Sequence, residues 1–429
     1  MQGGNPGTVH KLPAVVAFGG WYLFALAGPF STTLADLGLV LVLLASVWVA
    51  ASIWRDARDE PVFWMTLALL AYLVIHMSLF MPEYPEQMAR QNPNWSHWFR
   101  VGGLWSIALG WWLFRFPSHF APLITALVVG LLIGVVVEVD VERIASHGFA
   151  DRSAWGYQPN YLGLASGAAF LALLSWALYG IHERRSPAVW IGIGLVLATL
   201  VALVLVSESR RAWLLLPLGL VALILFGLMF GNRDISLRRL LLGTALIAGT
   251  AALVIVVFRE MIVERLGNEW EAIALLLTLE WGEVAGSRGV GARVAMWLAA
   301  AEAVAVEPWF GWGSGAGARV LRSDEFTDLV DHGHFHSLYV EILVSFGLIG
   351  FALFGITLLL ILRASWRAAR TGAISLPLAA GLAAVTVFVL AVMVISVRIG
   401  QTEGRALLTT LMAFHAYAMF RLSQWRASR

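Results

Sequence analysis

The chain has 429 residues, 59% of them hydrophobic and only 13% charged, with a mean hydropathy of +0.78. A soluble domain carries about 25% charged residues, so this balance excludes a soluble globular protein and predicts an all-α, polytopic integral membrane protein. The absence of cysteine excludes disulfides and thiolate chemistry, and a net charge of +2 gives nucleic acid binding no support.

Twelve spans are predicted, at 13–30, 33–54, 61–81, 98–115, 119–137, 158–181, 188–206, 211–230, 240–258, 336–362, 374–396 and 405–421. No cleavable signal peptide is expected: the first apolar run lacks a small-residue cleavage site, and the next span follows at once. Twenty tryptophans fit anchoring at both membrane interfaces. One set of loops and termini carries Lys11, Arg55, Arg58, Arg115, Arg184, Arg185, Arg233, Arg238, Arg239, Arg363, Arg367, Arg370, Arg421, Arg426 and Arg429 against five acids, Asp56, Asp59, Glu60, Glu183 and Asp234. Short basic loops stay in the cytoplasm, so both termini are expected there and the acidic loops outside. The organisation that follows is a membrane bundle over 1–258 (spans 1–9), a large outward loop with short helices over 259–335, and a second part of the bundle over 336–429 (spans 10–12).

Loops of that length are usually functional. Ala272 to Leu277 is apolar but too short to span, and fits the interface or the side of the bundle. Val294 to Val306 is alanine-rich and helical until Pro308 breaks it. Gly311, Gly313, Gly315 and Gly317 then form a pliable turn ahead of the acidic run from Asp324 to Asp331.

The polar residues that could carry chemistry gather on the outward side. Arg210 and Arg211 open a span there. Positive charge at a helix N-terminus opposes the macrodipole, which makes sense if an anion is bound by the helix N–H groups and the guanidinium together. Twenty-eight arginines to one lysine also fit phosphate recognition, although GC-rich coding gives the same bias. In the large loop, Arg293 and Trp297 share a helical face and Arg288 lies five residues earlier; either arginine could reach a phosphate. Arg152 and Asn160 flank the entry to the sixth span and could contact sugar or phosphate.

His332, His334 and His336 alternate as an extended strand would, which raises a metal site. His336 is expected to begin a helix, however, and neither a His-Glu-x-x-His pair nor cysteine assists, so no metal is expected. On that helix eleven residues make about three turns, which puts Gly347 under His336, with Gly350 near the same face to admit a neighbouring helix. The helix N-terminus favours the neutral, proton-accepting imidazole. Ser337 follows directly, and Glu341 is an intramembrane carboxylate, a kind of residue rarely idle; with Trp297 these are candidate substrate contacts. There is no Walker loop, no dinucleotide fingerprint and no Gly-x-Ser-x-Gly elbow, so no cofactor is expected.

These residues resemble the O-antigen ligase family, within the O-antigen ligase/polymerase superfamily. His336-Ser337-x9-Gly347-x2-Gly350 matches the ligase histidine motif. Ser209-Arg210 followed by Ala212-Trp213 matches the Ser-Arg motif that opens a span. Arg293-x3-Trp297 with Pro308-Trp309-Phe310-Gly311-Trp312-Gly313 matches the loop segment, and Gly156 to Gly163 resembles the family's Asn-containing entry to a span. The resemblance implies a metal-independent, inverting GT-C glycosyltransferase. Such an enzyme moves a glycan from undecaprenyl diphosphate to lipid A-core at the periplasmic face of the bacterial inner membrane. His336 would be the general base. Arg210 and Arg293 would hold the diphosphate, with Arg211 and Arg288 as second choices. Arg211 stands where family members often carry glycine, so the diphosphate role could be shared within the pair. An O-antigen polymerase or a protein O-oligosaccharyltransferase would use the same donor. A transporter or flippase is the rival of another class, with its polar residues expected at mid-bilayer rather than in the outer loop.

Overall fold

The computed structural model describes residues 11–80, 103–147, 152–155, 159–179, 186–207, 209–230, 249, 252, 256, 259, 263, 290–321, 333–397 and 402–429. All regular structure among them is helical. In chain order the helices are α1 (Lys11–Ala27), α2 (Thr32–Trp48), α3 (Ala50–Ala57), α4 (Pro61–Leu79), α5 (Leu104–Arg115), α6 (Phe120–Glu138), α7 (Val141–His147), α8 (Pro159–Tyr179), α9 (Pro187–Val206), α10 (Arg210–Phe230), α11 (Val290–Val306), α12 (Ala316–Val320), α13 (Leu338–Arg370), α14 (Leu376–Val394) and α15 (Thr402–Ala427). Among the described residues seven helices are long and apolar enough to cross a membrane, or eight if the bent pair α2–α3 is one span. The chain is therefore an all-α, multi-pass membrane protein.

Proline at the first turn of α4, α9 and α14 supplies a preset φ where no backbone N–H is needed. Most predicted spans coincide with a helix to within a few residues. Two depart. The span predicted at 33–54 stops at Trp48, and α3 bends away by 79°. The reason is composition: α3 contains Arg55 and Asp56, and its Trp54 is exposed, as is Trp48 at the end of α2, as suits a helix lying at an interface. The one predicted at 98–115 has its described helix only from Leu104, behind Gly103 at φ 103. The predicted span at 240–258 falls almost wholly outside the described residues.

Helix contacts give the bundle two chemically distinct ends. Tyr339 at the start of α13 donates to the Leu390 carbonyl near the end of α14 (3.0 Å), so these helices run antiparallel. The opposite end holds Arg363, Arg367 and Arg370 of α13. There too Arg426 of α15 pairs with the buried Glu60 ahead of α4 (3.2 Å), and Arg115 lies 3.4 Å from Asp56. The ends of α10 and α13 meet on that side through Phe226, Phe230 and Trp366. The described basic segments, at Arg55–Arg58, Arg115, Arg363–Arg370 and Arg426, thus converge at one end, and the His336 and Arg210 segments lie at the other.

Within the bundle, His415 of α15 is stapled from both sides, by Ser365 of α13 on Nδ1 and Thr386 of α14 on Nε2, each at 2.8 Å. A neutral imidazole offers one donor and one acceptor, so two hydroxyls satisfy it completely. Helices α1 and α2 touch backbone to backbone: a methyl group at Gly38 would lie 2.5 Å from the Gly20 carbonyl oxygen and 2.8 Å from the Phe24 nitrogen, whereas one at Gly19 would meet nothing within 4 Å. Gly38→Val is expected to cost about 2 kcal/mol or more through forced separation of the pair, and Gly19→Val far less. Thermal unfolding of the two variants in the same detergent checks this.

Candidate functional site

Helix α13 is continuous in hydropathy but not in backbone. Gly347 has φ 63 and ψ −170 inside it, a conformation open essentially to glycine alone. The break strands carbonyls above it and N–H groups below it, and the loop after α11 takes up both sets. Trp312 and Gly313 donate to the carbonyls of Val344 (2.9 Å) and Ser345 (3.0 Å), while Leu348 and Ile349 donate to Pro308 (2.8 Å) and Trp309 (3.2 Å). Tyr72 of α4 donates to the Phe346 carbonyl (2.7 Å), and His76 donates to the carbonyl of Phe310 (2.6 Å). Irregular backbone at membrane depth survives only when satisfied in this way. The approach is so close that Gly311, at φ 72, lies directly against the Val344 carbonyl and the Gly347 nitrogen. The Pro308–Gly313 motif and the Gly347-x-x-Gly350 motif are two halves of one joint. Gly350 does admit a neighbour, with Tyr72 of α4 3.0 Å from where its Cβ would stand.

The predicted register of His336 over Gly347 is overturned by this geometry. His336 is not helical: Ser337 is the N-cap of α13, accepting from Val340 N–H (3.4 Å), and His336 lies one residue before it at φ 54. It is the one described residue other than glycine with positive φ. Holding an L-residue there costs about 1–2 kcal/mol, so the surroundings must impose it. They do so from α11, from α13 and from the turn itself. Phe335 is fully buried in a cluster with Met296, Ala299 and Ala300 of α11 and Val344 of α13. Its N–H donates to Glu341 Oε2 (3.3 Å), and its carbonyl accepts from Trp297 Nε1 of α11 (3.1 Å). The His336 N–H donates to His334 Nδ1 (3.2 Å), and the two imidazoles meet edge to face at 4.2 Å. His336 remains half-exposed at the rim of this clamp. His332 lies outside the described residues, and among those described no three of His, Asp and Glu converge as a metal-holding group.

Trp297 and Ser337 thus each use their polar atom on the turn itself. Trp297→Phe leaves the buried Phe335 carbonyl without its donor. The loss of such a partner costs about 1–3 kcal/mol, so a lower melting temperature and slower turnover are expected together. Thermal unfolding and a transfer assay on one preparation check both.

A second corner lies at the same end of the bundle. Asn160 Oδ1, in the first turn of α8, accepts from Ser209 Oγ (3.3 Å) just before α10. Ser209 N–H donates to Ser207 Oγ (3.2 Å), and Trp213 Nε1 ties α10 to the Val204 carbonyl of α9 (2.7 Å). A Cβ at Gly163 would be 2.7 Å from Ser207 Oγ and 2.9 Å from the Ala212 Cβ, so the two helix starts are locked together. Ser-Arg and Ala-Trp are therefore partners in one corner, along with the Asn-containing entry. One apolar cluster underlies this corner and the histidine turn, joining Tyr161, Leu162 and Ala212 to Leu338 and Ile342. The backbone of Arg210 opens α10 and Arg211 follows it, half-buried; the Arg210 side chain is outside the described part. Arg293 is half-buried one turn from Trp297 on α11. Arg152 has its backbone in a short 3-10 turn with its side chain undescribed, and Arg288 lies outside the described residues. The residues that sequence reasoning missed are Tyr72, His76, His334 and Gly317. Of these His334 had a signal in the histidine run and Gly317 in the glycine run, though neither was given a site role.

Comparison with known families matches residues 195–355 to the O-antigen ligase family model. This match, over less than half of the chain, supports placing it in the O-antigen ligase/polymerase superfamily. The matched stretch begins in α9 and ends in α13, so it holds the Ser209–Trp213 corner, α11, the glycine-rich loop, the His336 turn and the break at Gly347. The match supports a glycosyltransferase-like function of the ligase/polymerase type, with lipid-linked glycans as the general substrate class. A shorter stretch is similar to guanidinium exporters. It is 33% identical over 102 residues to the guanidinium exporter of Escherichia coli O6:H1, which covers 24% of this chain and 90% of the exporter. It is also 34% identical over 83 residues to that of Citrobacter freundii, covering 19% of this chain and 74% of the exporter.

Proposed function

We propose that this chain is an O-antigen ligase that transfers O-antigen glycan from undecaprenyl diphosphate to lipid A-core. The reaction would run at the periplasmic face of the bacterial inner membrane, with both termini in the cytoplasm. The acceptor sugar hydroxyl gives its proton to His336 and attacks the anomeric carbon of the donor from the face opposite the leaving group. The bond to the diphosphate breaks with inversion, and undecaprenyl diphosphate departs carrying the electron pair. Arg210 and Arg293 neutralise the charge that grows on it, with Arg211 and Arg288 in reserve, so no metal is required. Arg152 and Asn160 line the sugar side, and Ser337, Trp297 and Glu341 hold the histidine turn.

The observation that carries this reading is the strained His336. A histidine kept half-exposed against its own backbone preference, by a clamp built from α11 and α13, is what a positioned base needs. The test is transfer in detergent by purified protein given undecaprenyl-diphosphate glycan and lipid A-core with EDTA present. Capped lipid A-core supports the ligase. Lengthened donor glycan without capping makes the chain a polymerase instead, and transfer only to an added pilin-type protein makes it a protein O-oligosaccharyltransferase. The similarity to guanidinium exporters favours one further reading, transport. Movement of labelled guanidinium across liposomes holding the pure protein, with no covalent product, would put transport in place of transfer.

A further inference from the structure

Glu341 is fully buried one turn into α13, and its two oxygens have different surroundings. Oε2 accepts the Phe335 N–H at 3.3 Å, while Oε1 has no hydrogen-bond partner among the described residues. One turn further along the same face Ser345 Oγ is also buried and unpartnered among them. Gly317 covers the carboxylate from the loop side. A Cβ there would stand 3.2 Å from Glu341 Oε2, 2.9 Å from the His334 Cα and 3.1 Å from the Gly333 carbonyl oxygen. The carboxylate is thus wedged between α12 and the turn that carries His336. Charged groups in such places are kept at a cost when packing alone would suffice.

We propose that Glu341 is a positioning residue for His336: its carboxylate anchors the Phe335 N–H, and Gly317 leaves the room that lets the turn close onto it. This rests on His336 being the base. Because the anchor is one residue from the histidine, its loss rotates the imidazole instead of removing it. A displacement of about 1 Å at a reacting group costs on the order of 100-fold in rate.

The experiment measures kcat and KM for transfer to lipid A-core by wild type, Glu341→Gln, Glu341→Met and His336→Ala, and by the double variant Glu341→Met/His336→Ala. Glutamine keeps an oxygen acceptor of the same reach, so Glu341→Gln is expected to retain at least about a third of wild-type kcat. Methionine fills the space without accepting well, so Glu341→Met is expected to lose about 30-fold or more in kcat with KM within about 2-fold. In the His336→Ala background the same substitution is expected to change nothing further, because its effect runs through the imidazole. Wild-type kcat in Glu341→Met, or an undiminished loss on top of His336→Ala, overturns the proposal. Full activity in His336→Ala itself overturns the base assignment instead, which keeps the two failures apart. Should Glu341→Met not fold, Gly317→Ala presses on the same turn from the other side. A fall in its kcat at constant KM supports the anchor, and wild-type kcat there overturns it.

Discussion

Replacing His336 by glycine is expected to give a protein about as stable as wild type that has lost nearly all glycan transfer. At φ 54 the native residue sits where an L-side chain costs about 1–2 kcal/mol, and glycine removes that cost. Against this stand the larger entropy of glycine in the unfolded chain, about 0.5–1 kcal/mol, and the lost edge contact with His334 at 4.2 Å. The balance lies near zero, so the melting temperature should stay within a few degrees of wild type or rise. His336→Ala keeps the Cβ and its strain while losing the ring, and should be the less stable of the two. In both, removal of a general base lowers transfer by about 10²–10⁴-fold. A residue that is unfavourable for stability and decisive for rate is held for its chemistry. If the glycine variant still transfers at wild-type rate, the imidazole takes no proton. If it unfolds instead, the ring is a packing element and the strain has another origin.

The architecture was legible because burial in lipid leaves a one-dimensional trace: among the described residues each long apolar run became a helix, and the described basic segments, at Arg55–Arg58, Arg115, Arg363–Arg370 and Arg426, gathered at one end of the bundle. The site was legible in composition and not in shape. The stretch from Ile342 to Leu353 is apolar but for Ser345, and glycine is common in membrane helices, so nothing local distinguishes Gly347 as a break from Gly355 as an ordinary helical position. What creates the break is some forty residues upstream, in the N–H groups of Trp312 and Gly313 and the carbonyls of Pro308 and Trp309. The left-handed His336 is non-local in the same way, since its clamp comes from Trp297 and Glu341. Paired motifs were visible as strings, Ser209 with Asn160 and Pro308–Gly313 with Gly347–Gly350, but a sequence does not say which string bonds to which. A span ending at Trp48 instead of 54 was overrun for a simpler reason: α3 is apolar enough on one face to extend a window average.

Gly347→Ala should be the most damaging single methyl in the molecule. The backbone there, φ 63 and ψ −170, lies in a region essentially closed to residues with a Cβ, and that Cβ would be driven onto the Trp309 carbonyl and the Phe310 nitrogen. Relief requires the loop to lift from α13, which frees four backbone hydrogen bonds in an apolar setting, each costing about 1–3 kcal/mol when left unmade. The joint also fixes the level at which α11 meets α13. Trp297 and Met296 of α11, and Val344 of α13, move with it, and they form the clamp on Phe335. Loss of at least about 3 kcal/mol of stability and of 100-fold or more in transfer is therefore expected together. Gly355→Ala in the same helix meets nothing within 4 Å and should be neutral or slightly stabilising, since alanine is the better helix former. Thermal unfolding and transfer measured on the two variants side by side decide the matter. Equal behaviour of the pair would mean that α13 runs unbroken through 347 in the working protein, and the loop would then need other partners for Trp312, Gly313, Leu348 and Ile349. A large gap between them makes the two glycine motifs one structural device, through which a loop remote in sequence sets the pose of His336.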